Sequence, residues 1–253
     1  MERGSYIAAS GGVVQFQKLE VLNNNLANVS TPGFKKQIVS TEQERFEDTL
    51  ASATAGKDPF ARDDQDRTPG VRSVKTATDF SLGPIENTGN PLDVALRNPN
   101  DFFVVEVDGE AQYTRAGNFT INAAGQLSTQ DGATVSGDGG ALTADGAGAL
   151  INPDGSLNVN GSNVGRLQVV RFEDPAALER VGSSRFKLPA GVQAPESVEP
   201  QLVGQALERS NVSAVNAMVD LIVANRAFQL YTRSAESIDA MNQGAINQIG
   251  RSR

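Results

Sequence analysis

The stretch Ser213–Ile249, SAVNAMVDLIVANRAFQLYTRSAESIDAMNQGAINQI, decides the fold. It contains no proline and a single glycine, Gly244, while Leu221, Ala224, Phe228, Tyr231, Ala235, Ile238, Ala245 and Ile249 step by three and four with one skipped position. Such spacing places them on one face of a helix and sustains a heptad seam for about four repeats. Val215, Met218, Val219 and Ile222 widen the apolar face at its start, and Ser213 is a suitable N-cap. At about 1.5 Å per residue the helix runs roughly 55 Å, and one long helix cannot bury its own stripe.

The partner stripe lies at the opposite end of the chain. From Gly4 to about Val29 there is no proline, and apolar residues recur at Ile7, Val14 and Val21 beside a row at Leu19, Leu22, Leu26 and Val29. These spacings predict a helix that stops at Ser30-Thr31-Pro32-Gly33, because Pro32 moves Thr31 out of helical geometry and Gly33 permits a reversal. Between the helices the texture changes. Residues 41–78 are polar and charged, as in Arg62-Asp63-Asp64-Gln65-Asp66-Arg67, and predict a connecting segment. Residues 79–204 read as strands and tight turns. Phe102–Val107 with Asp108-Gly109 and Ala111–Thr114 predicts one hairpin, Phe119–Ile121 with Leu127-Ser128 predicts another, and Leu167–Phe172 is a further strand closed by Asp174-Pro175. Asp-Gly recurs at 108, 131, 138, 145 and 154, joined by Asn160-Gly161.

The fold class is therefore α+β. The terminal segments 1–40 and 205–253 pair as a coiled-coil-like layer, a discontinuous helical domain, and an all-β domain of antiparallel strands and hairpins is inserted between them. The expected seam consists of Ile7, Val14, Val21, Leu22, Leu26, Leu221, Ala224, Phe228, Tyr231, Ala235, Ile238 and Ile249, serving contacts between subunits. Asn225 and Arg226, between Ala224 and Phe228, either fix the register or face solvent.

Composition narrows function further. The 253 residues hold 22 Lys+Arg against 30 Asp+Glu, a formal net charge of −8, with a sequence pI near 4.7. An acidic chain of this kind is a poor match for nucleic acid or anionic lipid, which reward basic surfaces. With no His, Cys or Trp, it lacks the residues of Ser-His-Asp and Cys-His catalysis, zinc fingers and disulfides. Mean hydropathy is −0.30 and aromatics make up 6%, a composition of many turns and surfaces buried by neighbours. No stretch has the length of a membrane span, and Met1–Ile7 shows no signal-peptide pattern.

Three motifs have functional and ordinary readings. The Gly/Asp-rich run from Gly137 to Gly155 resembles a calcium β-roll but lacks its nine-residue period and reads better as hairpin turns. Asp93, Asp101, Glu106 and Asp108 could supply a carboxylate pair for hydrolysis, but the aromatic platforms of a sugar site are missing, and they read far better as turn residues and solvated strand faces. Gly137-Asp138-Gly139 neither follows a parallel strand nor opens a helix, so no phosphate-binding loop is expected.

Leu22-Asn23-Asn24-Asn25-Leu26-Ala27-Asn28-Val29-Ser30-Thr31-Pro32-Gly33-Phe34-Lys35 resembles the N-terminal signature of the bacterial flagellar rod and hook proteins. Three further blocks match in order: Thr88–Leu96, containing Asn90, Pro91, Leu92 and Asp93; Tyr113–Phe119 with Gly125–Leu127; and Leu207–Val212, containing Ser210, Asn211 and Val212, leading to Asn225-Arg226-Ala227-Phe228. Together they cover most of the chain outside residues 41–80. Within the family the length and the block Val164–Phe172 look most like the proximal rod member, while the distal member shares nearly all the motifs. Arg97-Asn98-Pro99-Asn100-Asp101 departs from the family's usual glycine-containing turn. The resemblance implies a non-enzymatic structural subunit of the rod in the basal body, crossing the periplasm. It implies other rod proteins and copies of itself as partners, and the flagellar type III export apparatus in transit. No cofactor, metal, small-molecule substrate, nucleic acid or direct membrane insertion is implied.

Overall fold

The computed structural model describes residues 2–45, 69–144, 148–189, 191–192 and 195–251. Among these residues two α-helices, α1 (Glu2–Ala27) and α2 (Ala214–Arg251), flank a region of strands. Both lie where the three-and-four spacings predict them. The chain divides into two compact units: residues 1–26, 37–77 and 214–253 form the first, and residues 27–36 and 78–213 form the second.

In the helical unit α1 and α2 run antiparallel, as their contacts show. Gly4 faces Ile238, Gly11 faces Tyr231 and the Phe16 ring meets Phe228 with centroids 6.3 Å apart, so rising numbers in one helix meet falling numbers in the other. Gly11 permits this approach: a Cβ there would lie 2.3 Å from Tyr231 Cε1. Glycine weakens a helix interior by up to about 1 kcal/mol relative to alanine, a cost set here against close packing of an aromatic ring. The segment expected to be a polar connection contributes structure as well, since Gln37–Arg45 and Pro69–Thr78 pair as a two-stranded sheet. Its β-branched Ile38, Val39, Thr41, Val71 and Val74 favour strands, a signal that the charged centre of the segment conceals.

The β unit is built around strand Asp101–Val107, whose first five residues are buried. It pairs antiparallel with Glu110–Thr114 on one side, and with Val169–Arg171 and then Thr134–Gly137 on the other. Side chains alternate across a strand, so its two faces feed two cores. Phe103 and Val105 join Val94, Leu96, Phe119, Leu127 and Leu157. Phe102 and Val104 join Phe80, Tyr113, Val170, Phe172 and Phe186, where the rings of Phe102 and Phe172 meet edge-on at 5.4 Å. The chain's few aromatics are concentrated here, which gives a low-aromatic sequence a well-packed interior.

Turn chemistry holds as expected. Asp108 and Gly109 have φ of 53° and 81°, and Asn160 and Gly161 have 51° and 84°, the paired positive values of the type I′ turns that join twisted strands. The hairpin Thr120–Ile121 with Leu127–Ser128 forms, and Asp174 caps a 3-10 turn at Pro175–Ala177 by accepting from Ala176 N. The Asp145-Gly146 turn lies outside the described residues. Strands Leu202–Gly204 and Ala206–Glu208 pair with Val94–Leu96 and Ile85–Asn87. Residues 205–213 and 27–36 thereby belong to the β unit, whereas their sequence placed them with the helices.

Candidate assembly interface and signature cluster

Within the helical unit the residues of the expected seam are unequally covered. Val14, Leu22 and Ala224 are buried; Val21, Leu26, Leu221, Phe228, Ala235 and Ile238 are half-buried; Ile7 and Tyr231 are at the edge of exposure. The Ile249 side chain lies outside the described residues. An apolar groove of about 370 Å³ runs along the pair, lined by Ala8, Ala9, Gly12, Val13, Phe16, Phe228, Tyr231, Thr232 and Ala235. The residues expected to widen the seam are not covered by α1. Val215, Met218, Val219 and Ile222 are 71%, 52%, 54% and 51% exposed, and Val223 and Leu230 are 59% and 64% exposed. Ala217, not a bulky residue, is the buried position in the first turn of α2. Arg226 is exposed, and exposed Asn225 accepts at Oδ1 a hydrogen bond from Gln229 Nε2 at 2.9 Å. The α2 helix therefore presents a run of large apolar side chains to solvent, which soluble monomers rarely do.

The signature residues have a different role. Asn25 is buried at the end of α1, with Nδ2 donating to Gln37 O at 2.8 Å and Oδ1 accepting from Gln37 N at 2.9 Å. Asn24 and Ala27 lie on the exposed side, and Asn28 O accepts from Thr31 N as the helix turns off. In the β unit Gly33 has φ +67° and its N donates to Glu208 O at 2.8 Å. A Cβ there would sit 2.3 Å from Ala116 N, so Gly33→Ala is expected to cost the β unit more than about 1 kcal/mol, read as a lowered urea midpoint by circular dichroism.

Phe34 and Lys35, next in the chain, are fully buried. Lys35 Nζ lies 2.6 Å from Glu208 Oε1 and donates to Ser81 O at 2.6 Å. Arg115 approaches the other carboxylate oxygen, with Nε and Nη2 at 2.8 and 2.7 Å from Glu208 Oε2. Its Nη1 donates to the carbonyls of Asn98, Pro99 and Asp101, so the unusual Asn98-Pro99-Asn100 turn has a defined task in holding this guanidinium. Burial lowers the pKa of Lys35 despite the Glu208 carboxylate beside it. Arg180 closes the cluster. Its guanidinium stacks 4.8 Å from the Phe34 ring centroid and 5.2 Å from that of Phe186, donates to Lys35 O, and is lowered by burial to about 10.

Asn211 clamps the same region. Its Oδ1 accepts from Lys36 N at 2.7 Å while Nδ2 donates to Asp79 O at 2.9 Å, and Ser210 Oγ accepts from Val212 N. Asn90 and Asp93 form a local turn lock, Asn90 Nδ2 donating to Asp93 Oδ1 at 2.9 Å and Thr88 Oγ1 to Oδ2 at 2.7 Å. Pro91 O accepts from Ile151 N, and Leu92 packs on the first core. Arg115, Arg180 and Glu208 were absent from the sequence-derived site. Their signal was a charge within an apolar run, as in Tyr113-Thr114-Arg115-Ala116 and Ala206-Leu207-Glu208, which marks a buried ion only once its distant partner is known.

Two of the acids considered for hydrolysis are separately engaged. Asp93 is held by Thr88 and Asn90, and Asp101 accepts two hydrogen bonds from Arg171 at 2.6 and 3.0 Å.

Three family models match the chain. A flagella basal body rod protein model matches residues 6–35, the flagellar hook protein FlgE/F/G D1 domain model matches residues 98–169, and the flagellar basal body rod FlgEFG protein C-terminal model matches residues 203–249. The flagellar basal-body rod protein FlgF of Salmonella typhimurium is 32% identical over 98% of both chains. This chain belongs to the flagellar basal-body rod protein family. Other relatives are FlgF of Caulobacter vibrioides, 29% identical over 99% of both chains, and FlgG of the same organism, 30% identical over 96% of this chain and 97% of its own. As a rod-family protein it is a structural component of the flagellar basal body, and membership implies assembly with other rod and hook components.

Proposed function

We propose that this chain is the proximal-rod subunit and that its helical unit carries assembly into a tubular drive shaft that transmits torque to the hook. The carrying observation is the outward apolar run on α2, Val215, Met218, Val219, Ile222 and Leu230, left uncovered after α1 and α2 have paired. Fully burying each such side chain against a neighbour contributes about 1.5–3 kcal/mol, so a few per subunit are enough to drive association. The seam from Ile7 to Ile249 supplies the paired helices, and the outward run supplies their neighbours. A face on one subunit that meets a different face on the next does not close and propagates as a helix. The β unit forms an outer layer, residues 41–78 touch subunits above or below, and the type III apparatus delivers the chain. The role is structural, without catalysis or cofactor.

The distal-rod reading rests on relatives such as FlgG at comparable identity. Complementation separates the two positions. This chain is expected to restore swimming in cells lacking their FlgF and not in cells lacking their FlgG; rescue of the second strain alone would reverse the assignment. The hydrolase reading has little support in the separate engagement of Asp93 and Asp101.

A further inference from the structure

The buried cluster has an asymmetry in sequence. The two cations that pair with Glu208 come early and the carboxylate they share comes late: Glu208 follows Lys35 by 173 residues and Arg115 by 93. The three side chains are fully inaccessible, and Glu208 Oε1 also accepts from Gly83 N at 3.0 Å. Other bonds that dock residues 33–36 depend on late partners too, since Gly33 N donates to Glu208 O, Lys36 N to Asn211 Oδ1, and Arg180 to Lys35 O.

A polypeptide grows from its N-terminus, so Lys35 waits 173 residues and Arg115 93 residues for Glu208. Burying two cations without the one carboxylate that touches both is opposed by desolvation, since Asp79, the other acid acting on Lys35, is only half-buried and makes the smallest contribution. The first core has no such requirement. It is drawn from residues 94–202 and is apolar throughout. It can therefore pack before residue 208 arrives, while the segment bearing Lys35 stays in water.

We propose that Glu208 is the closing key of the β unit: residues 33–36 and the turn at 81–83 stay open until strand Ala206–Glu208 docks, and one carboxylate then closes both. The unit thereby senses that its C-terminal segment is present before it shuts. The proposal rests on chain order and geometry alone and stands apart from the rod assignment.

The absence of cysteine gives a clean test. Single cysteines are placed at Ala116, whose backbone abuts Gly33, and separately at Ala133 in the first core; these positions are 7% and 2% exposed. In the full chain both thiols label slowly. Adding Glu208→Gln is expected to speed labelling at position 116 roughly 100-fold, the scale of removing one partner from a buried ion pair, and to leave position 133 unchanged. Equal acceleration at both positions, or none at either, overturns the proposal. If Glu208→Gln does not fold, native-state hydrogen exchange on the unaltered chain decides. The amides of Gly33, Gly83 and Arg209 are expected to open together at lower denaturant than that of Val104. Opening only with global unfolding contradicts the closing key.

Discussion

Phe228→Asp is expected to abolish swimming in complemented cells while leaving the urea midpoint of the β unit unchanged. Phe228 is half-buried, meets Phe16 and lines the groove of the helical pair. Removing the ring costs about 2 kcal/mol of pairing, below the range for a fully buried phenylalanine, and the new carboxylate adds a desolvation cost when a neighbour covers it. The effect on assembly exceeds that on one chain because every subunit repeats the defect. Swimming at the parental level would show that this face is not used for assembly.

Arg115→Met is expected to destabilise the β unit by about 3–5 kcal/mol, measured as a loss of urea midpoint at constant slope. Methionine fills part of the space and supplies no donor, so Glu208 keeps Lys35 and loses its second cation, and the carbonyls of Asn98, Pro99 and Asp101 lose a shared partner. The pair Lys187–Glu179 provides the contrast. Both side chains are about half exposed at a separation of 3.5 Å, so Lys187→Met should change stability by no more than about 1 kcal/mol. Similar losses in both variants would mean that burial of the Glu208 cluster has been overstated.

Features set by local sequence were the legible ones. The spacings of three and four placed α1 and α2, because a helix face is fixed by residues within one or two turns of each other. Asp108-Gly109 and Asn160-Gly161 announced their hairpins, because a type I′ turn needs two positive φ angles. The motif residues Asn25, Gly33, Lys35 and Asn211 were also visible, but their partners were not. Gln37, Ala116, Glu208 and Asp79 lie up to 173 residues away, and a single sequence carries no record of such pairings. The same limitation explains the unit boundary. Strand Ala206–Glu208 leads directly into α2 but pairs with Ile85–Asn87, so continuity along the chain suggested the wrong neighbour. The apolar character of Val215, Met218, Val219 and Ile222 was legible, but not their exposure beside the helical pair, since periodicity reports a wide face without saying which part the other helix covers.

Neighbouring subunits are expected to cover the outward face of α2. Single cysteines at Val219 and Leu230, with Asp138→Cys on the β unit for comparison, can be labelled in dilute protein and in isolated basal bodies. All three positions are exposed in the single chain. Labelling at 219 and 230 is expected to fall at least about tenfold on assembly, the scale of about 1.4 kcal/mol of covering free energy. Reactivity at both positions that is as high in basal bodies as in dilute protein would contradict it.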